Sequence, residues 1–321
     1  MHNLYKNRMM YVGEKPWHEL GVRLDRPANS CEAITAAGLA YRVELRDIYF
    51  NDKNKKMNQF QGKVATVNCE NGEGLGIVGE NYRIIQNDEA FDFFDSVVGA
   101  GEAFYETAGA LGKGERIWIL ARLPGDIVIK DDPIKKYLVL TNSHDGRSAL
   151  KMYFTPIRVV CQNTLIISMG DARGGISIRH SGDVRAKVGE AQRILGIAKR
   201  QYDDFAGIVK ALMGWEFDSK CARSYFCDVL DIKDKSDRST RRENQLGMLH
   251  QLWENGRGNN NRQVRHTAWT AYNACTEYAD YYRTKHRDPS SRIRSVVFES
   301  AAAFKERAYE KVLAYAGINK K

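Results

Sequence analysis

The sequence lacks any apolar run long enough to cross a bilayer, which takes roughly 18–20 residues. Its first 21 residues contain no uninterrupted apolar stretch and so do not form a signal peptide. The hydrophobic fraction of 43% is nevertheless enough for substantial cores, and 321 residues allow one large domain or two ordinary ones. These absences lead us to expect a soluble protein located in the cytoplasm.

The spacings of a disulfide framework and of a zinc site are also missing. None of the six cysteines forms a CxxC pair, and the seven histidines show no ligand spacing with them. Disulfide frameworks are rare in long intracellular chains. We therefore expect no disulfides, no bound metal and no cofactor.

Catalytic and nucleotide-binding signatures are absent as well. There is no GxxxxGK[ST] loop and no GxSxG elbow, and the glycines 72, 74 and 76 lie in a hairpin with no helix after them. The polar groups that suggest chemistry are few: His18, His144 and Asp145. Without paired carboxylates or a nucleophile beside a base, an enzyme ranks last among the functions we consider.

Alternating apolar and polar residues predict strands from Tyr41 to Phe154, separated by tight turns, and amphipathic helices after Gly182. The fold class predicted is therefore α+β: a curved antiparallel sheet with a packed helix, followed by an α-helical C-terminal region. The predicted domains are residues 1–182, the sheet with its central helix, and residues 183–321, a basic helical domain.

The central helix is predicted at Thr155–Ser168, because Thr155 suits an N-cap and Pro156 the first helical position. Cys161 and Thr164 fall on its apolar face, and the opposite side carries Arg158, Gln162 and Asn163. Two interpretations stay open. The helix is a core element with satisfied polar residues, or its polar face contacts a ligand or a neighbouring subunit.

The net charge of +9 is unevenly distributed. Residues 1–170 carry 21 Lys+Arg against 21 Asp+Glu, whereas residues 171–321 carry 28 against 19. A basic half suggests an acidic partner, most often nucleic acid, although solvated basic helices would give the same count. The candidates for phosphate contacts lie in the central helix, the following strand, the loop 255–266 and a hairpin tip: Arg158, Arg179, Arg257, Arg262, Arg265, Lys55 and Lys56.

The segment His144-Asp145-Gly146 invites a catalytic interpretation, since a histidine stands beside a carboxylate. Asp-Gly is, however, first of all a turn sequence. We expect turn structure here, with a binding or packing role as the next alternative and catalysis as the last.

Several segments together resemble a phage/plasmid-like protein family of unknown function. They are a WHxLG-like opening, a G-V-V-G-x-x-Y segment, an sHDG turn and the motifs T-P-x-R-V-V-C-x-N-T-L and T-A-W-x-A-x-N-A-x-T-E-Y, found here at Trp17–Gly21, Gly76–Tyr82, Ser143–Gly146, Thr155–Leu165 and Thr267–Tyr278. Departures are Glu19, Ile77 and Cys275. The resemblance implies a mobile-element origin in a bacterial host and implies no known activity.

Two functions remain ahead of catalysis. The first is a DNA-binding protein of mobile-element replication or recombination, similar in outline to the Rad52-like annealing fold, which would hold single-stranded DNA as a ring or filament. The second is a non-enzymatic interaction module that modulates a host defence or replication factor. Its surface would come from Tyr278, Tyr281 and Tyr282, unless these side chains are buried in helix packing.

Overall fold

The structure is a computed structural model. It describes residues 4–12, 21–98, 104–148, 150–158, 163–164, 176–177, 184–233, 239–259, 261–283 and 300–318. Strands dominate the first half and helices the second, as the fold class predicted. Among the described residues, no helix is both long and apolar enough to span a membrane.

The first half contains two sheets and two short helices. In chain order the elements are β1 Leu4–Val12, β2 Val22–Leu24, α1 Ser30–Ala36, β3 Val43–Asn51, β4 Met57–Asn68, β5 Gly74–Gly79, α2 Asn87–Val98, β6 Phe104–Leu111, β7 Arg116–Arg122, β8 Ile127–Ile129, β9 Asp132–Ser143, β10 Lys151–Arg158, β11 Asn163–Thr164 and β12 Ile176–Ser177.

The large sheet has the order β11-β10-β9-β7-β6-β1-β2, with β8 paired to β9 and β12 to β10. Its neighbours are antiparallel except β1 and β2, which are parallel. The small sheet, β3-β4-β5, is antiparallel throughout. The antiparallel sheet predicted from alternating residues and tight turns is therefore confirmed. β1 lies before Tyr41, where the predicted strands begin.

The predicted central helix is wrong where the structure describes it. Thr155, Pro156 and Arg158 belong to β10, which pairs antiparallel with β9, and Asn163 and Thr164 form β11 opposite Arg158 and Ile157. The β-branched run that follows Thr155 favours an extended backbone. Cys161, Gln162 and the rest of the predicted helix, up to Ser168, lie outside the described residues.

The second half consists of helices: α3 Val184–Gly214, α4 Ser219–Val229, α5 Thr240–Asn255, α6 Ala268–Glu277 and α7 Ser300–Tyr315. A π-helical segment, Tyr278–Tyr282, continues α6. Side-chain caps fix several of the starts, for example Ser239 before α5 and Thr267 before α6. Each helix covers part of a stretch that the sequence predicted to be helical.

Two hydrophobic cores meet along α3. Ile194, Ala198 and Tyr202, around its middle, pack into the core of the sheets. Phe205 and Val209, in its second half, pack into the core of the helices. The predicted boundary at residue 182 thus stays a prediction, because the helix that follows it contributes to both cores.

A buried hydrogen bond joins the helices to the large sheet. The indole Nε1 of Trp269, in α6, donates to Oδ2 of Asp132 at 2.9 Å, and both residues are buried. Lys130 and Asp131, just before Asp132, have positive φ angles of 47° and 61°. This strained turn between β8 and β9 positions the carboxylate for the indole.

Candidate nucleic-acid interface

The β3–β4 hairpin extends beyond the third strand of the small sheet. β5 pairs with β4 from Lys63 to Val67, whereas β3 pairs with β4 as far as Asn51 and Met57. Residues 48–61 therefore form a two-stranded ribbon, which we call the arm. Because β5 ends at this level, no other described strand pairs with the arm.

The tip of the arm is a turn organised by Asp52. Its Oδ1 accepts from the backbone N–H groups of Asn54 at 2.8 Å and Lys56 at 2.9 Å. Lys55 adopts a left-handed conformation with φ 61°. Two further backbone hydrogen bonds, both 3.0 Å long, connect Asp52 with Lys55 and Lys56. The turn is thus held rigid by its own carboxylate.

The positive charges at the tip have no acidic partner in the part of the chain that the structure describes. Lys53, Lys55 and Lys56 are exposed, and none of them takes part in an ion pair with any residue that the structure describes. The carboxylate nearest in sequence is Asp52, which is engaged by backbone N–H groups. The tip therefore presents three ammonium groups to an external anion.

Large apolar side chains line both faces of the arm. Cross-strand register places Phe50 opposite Asn58 and Tyr49 opposite Gln59. Since residues two apart in a strand share a face, Phe60 lies on the same face as Phe50, while Met57 lies with Tyr49. All four side chains are exposed. The sequence reasoning identified the lysines and missed these side chains.

The loop 255–266, predicted to bind phosphate, directs several of its polar groups inward. The backbone N–H of Arg257 donates to Oε2 of the buried Glu277 at 3.0 Å, and the Arg257 guanidinium lies 4.9 Å from the ring centre of Tyr281. The anion at this backbone N–H is therefore a carboxylate of the protein itself.

Arg265, in the same loop, pairs with Glu254 at 3.3 Å, and His266 Nε2 lies 2.9 Å from the same Oε2 atom. The hydrogen bond from His266 is the main cause that lowers the pKa of Glu254. Arg262 is exposed. The three arginines of the loop thus lie in different environments: Arg257 beside an aromatic ring, Arg265 in an ion pair and Arg262 at the surface.

The other predicted basic residues are only partly placed. Arg158 ends β10, and the structure describes its backbone alone. Arg179 lies outside the described residues, as does His18. Of the tyrosines proposed for a partner surface, Tyr278 is buried and its hydroxyl accepts from Gln245 at 3.0 Å, whereas Tyr282 is exposed.

The turn 143–146 packs against the inner face of the small sheet, and we call this contact the junction. Thr66 Oγ1 donates to the carbonyl of His144 at 2.7 Å, and the Tyr82 hydroxyl donates to the carbonyl of Ser143 at 3.1 Å. A Cβ on Gly76 would lie 2.5 Å from Cα of Asp145. Two of the motif segments, at 76–82 and 143–146, therefore meet in space.

His144 is fully buried at the junction, and its Nε2 lies 2.9 Å from Oδ1 of Asn87. The Asn87 amide donates its own N–H to the Leu39 carbonyl at 2.9 Å, so its oxygen faces the imidazole and Nε2 carries the proton. Nδ1 is buried with no hydrogen-bond partner among the described residues. Burial lowers the pKa of His144 to about 4, although the charge of Asp145 acts in the opposite direction.

The carboxylate of Asp145 likewise forms hydrogen bonds within the turn. Its Oδ1 accepts from the Ser143 hydroxyl and from the backbone N–H of Arg147, the latter at 2.9 Å. A neutral imidazole shielded from solvent cannot relay protons to an external substrate. The geometry favours the turn and packing role predicted for this segment. Among the described residues, no group of three potential ligands could hold a metal ion.

Comparison with known proteins identifies relatives of unknown function. The family model described as "Domain of unknown function (DUF932)" matches residues 74–305, which is more than half of the chain. The match includes the junction turn and α6, and it begins after the arm.

Two curated proteins of Escherichia coli (strain K12), UPF0380 protein YfjQ and UPF0380 protein YafZ, are each 40% identical over 80 residues. Those 80 residues cover 25% of this chain and 28% of each relative, so the match spans little more than a quarter of their length. No solved structure matches the chain, and the expected Rad52-like outline has no structural neighbour to support it.

Proposed function

The chain belongs to the family described as domain of unknown function DUF932, and we propose that it is a nucleic-acid-binding protein whose arm contacts the phosphate backbone. One observation carries the proposal: three exposed lysines, which form no ion pair with any described residue, stand on a turn whose backbone is held by its own hydrogen bonds. A turn whose backbone keeps its geometry on binding loses little backbone conformational freedom, and its three ammonium groups favour association with a polyanion.

The process in which the protein acts is proposed from the motifs and the charge distribution. The resemblance to phage/plasmid-like sequences supports a role on mobile-element DNA inside a bacterial host, in single-strand annealing or recombination. The excess of 28 Lys+Arg over 19 Asp+Glu in residues 171–321 supports a second, weaker contact with the same polyanion. Because the family match begins at residue 74, the role of the arm is proposed for this chain and not for the family.

The test measures binding of a fluorescently labelled oligonucleotide by anisotropy over a series of salt concentrations. The variant combines Lys53→Gln, Lys55→Asn and Lys56→Gln, with asparagine chosen because it tolerates the left-handed backbone of Lys55. Loss of three phosphate contacts should weaken binding roughly tenfold or more and reduce the slope of log K against log salt by about 2.

The matched control removes three exposed lysines from the helices, by Lys199→Gln, Lys210→Gln and Lys220→Gln. It lowers the net charge by the same amount and should change the affinity far less. Equal losses in the two variants would reject the arm as the contact element. Absence of binding by the wild type at low salt would reject the nucleic-acid function itself.

A further inference from the structure

The arm carries a second feature that phosphate binding does not use, a pair of aromatic rings on one of its faces. Phe50 and Phe60 lie edge to face with ring centres 6.3 Å apart. They are 50% and 49% exposed, so each ring keeps half of its surface in contact with solvent. Two half-exposed rings side by side on a narrow ribbon are an apolar surface that remains to be covered.

The charged groups around the two rings indicate the chemistry of the ligand that covers them. Lys53, Lys55 and Lys56 lie at the tip beyond the rings, and Lys63 follows Phe60 on the same strand. All four lysines are exposed, whereas the carboxylate of Asp52 is held by backbone N–H groups. An occupant must therefore offer flat apolar groups next to negative charges. Unpaired nucleobases on a phosphodiester backbone combine both properties.

We propose that the face of the arm bearing Phe50 and Phe60 is a stacking site for unpaired bases, so that the ligand is single-stranded nucleic acid. The inference rests on the proposed function, because the lysines must first bring a strand to the arm. In a duplex the bases are stacked on one another and their faces are closed to the rings. A duplex would therefore engage the lysines alone.

The spacing of the groups suits a strand that runs along the ribbon. Phe60 is four residues from Lys56, which is about 13 Å of extended chain, and Phe50 is separated from Lys53 by Asn51 and Asp52 at the start of the turn. When a phosphate binds to the lysines at the tip, the neighbouring nucleotides of the same nucleic-acid strand therefore lie over the rings. The turn anchored by Asp52 fixes the lysines relative to the rings.

The deciding experiment compares three fluorescent ligands of equal length: a single strand, the same strand with abasic residues at every position, and a duplex. Wild type should bind the normal strand roughly tenfold or more tightly than the abasic strand, whose phosphates are unchanged. The double variant Phe50→Ser with Phe60→Ser should bind both strands equally, at the affinity that wild type shows for the abasic strand.

Two further variants separate ring stacking from a general apolar effect. Phe50→Leu with Phe60→Leu keeps an apolar surface without rings and should also lose the preference for bases. Ile77→Ser with Val128→Ser removes two apolar side chains that are 67% and 63% exposed outside the arm, and it should keep the full preference.

Other results would overturn the inference. Equal affinity of wild type for normal and abasic strands would leave phosphate binding by the lysines intact and exclude base stacking. If the leucine variant kept the full preference for the normal strand over the abasic strand, base stacking on the rings would likewise be excluded. A concentration-dependent dimer, seen by sedimentation velocity and lost in the serine variant, would instead assign the face to a second copy of the chain. Absence of any binding would reject the proposed function as well.

Discussion

The two ends of the small sheet differ in almost every physical respect. At the junction, Thr66, Gly76 and His144 are held by short contacts, and His144 is fully buried. At the arm, on the same strand β4, Met57 and Phe60 are exposed, and the tip lysines form no ion pair with any residue that the structure describes. One sheet thus has a fixed end and an exposed end.

This difference indicates how function and stability are divided along the sheet. Side chains at the junction contribute to the free energy of unfolding because their partners are buried with them. Side chains of the arm contribute little to it, since they contact solvent in both the folded and the unfolded chain. Ligand contacts are thus expected where the stability contribution is smallest.

The largest effect on the free energy of unfolding is expected for Gly76→Ala. The added Cβ would lie 2.5 Å from Cα of Asp145, which is backbone and cannot move aside without shifting the turn. We expect a loss of about 3 kcal/mol in the free energy of unfolding, measured by urea denaturation. Gly79→Ala on the same strand is the control, because its Cβ would meet nothing within 4 Å. Equal losses in both variants would contradict the close packing at the junction.

The second largest effect is the pH dependence of the free energy of unfolding that His144 causes. Its pKa is about 6.5 in the unfolded chain and about 4 in the folded protein, so the unfolded state binds the proton first as the pH falls. Stability is therefore full above pH 6.5 and declines as the pH falls towards 4. By pH 4.5 the loss should be on the order of 2 kcal/mol.

The measurement compares wild type with His144→Gln by urea denaturation between pH 7.5 and 4.5. The carboxylates are the same in both proteins, so the difference reports the imidazole together with its interaction with the charge of Asp145. Wild type should be the more stable protein at pH 7.5, and this advantage should shrink as the pH falls. An advantage that stays constant over the range would mean that His144 binds protons equally in both states.

The contrast between the two regions also shows what the sequence could predict. Helical periodicity in the sequence was sufficient to predict α3 and α5. The Asn71-Gly72 dipeptide is typical of a hairpin turn, and it connects β4 and β5. Asp-Gly at 145–146 indicated a turn, and Gly146 indeed has φ 72°. These are local signals, and each specifies a local structure.

The signal at Thr155-Pro156 was misleading because its meaning depends on tertiary context. Pro156 faces Lys136 on β9, and the Lys136 carbonyl accepts from Leu123 on the other side of that strand. Pro156 and Lys136 are therefore a non-hydrogen-bonded pair, so the N–H that proline lacks is not needed for the β9–β10 ladder. A residue pattern suited to a helix start is equally acceptable at this position of a strand.

The exposed face of the arm could not be predicted, since it depends on the relative lengths of three strands. The lysines at the tip were visible in the sequence, but the exposure of Phe50 and Phe60 follows from β5 ending opposite Lys63. The role of His144 likewise depends on a contact between segments 78 residues apart, at Thr66 and the turn.

A smaller effect is expected for Thr66→Val, which removes the hydrogen bond to the His144 carbonyl while preserving side-chain shape. The carbonyl stays buried without this donor, and we expect a loss of roughly 1 kcal/mol in urea denaturation. Thr107→Val is the matched control, because the Thr107 hydroxyl is buried without a partner among the described residues. The control should be neutral or stabilising, and a larger loss there than at Thr66 would contradict the role of the junction bond.

The smallest effect on stability is expected in the arm, where Phe50→Ser with Phe60→Ser should change the free energy of unfolding by about 0.5 kcal/mol or less. Both rings are half-exposed, they contact each other, and neither belongs to a buried core cluster. Urea denaturation measures this change alongside Gly76→Ala. A loss as large as that of Gly76→Ala would show that the rings support the sheet. The arm would then contribute to the stability of the sheet, as the junction does. Its rings would not be free to stack on the bases of a nucleic-acid strand.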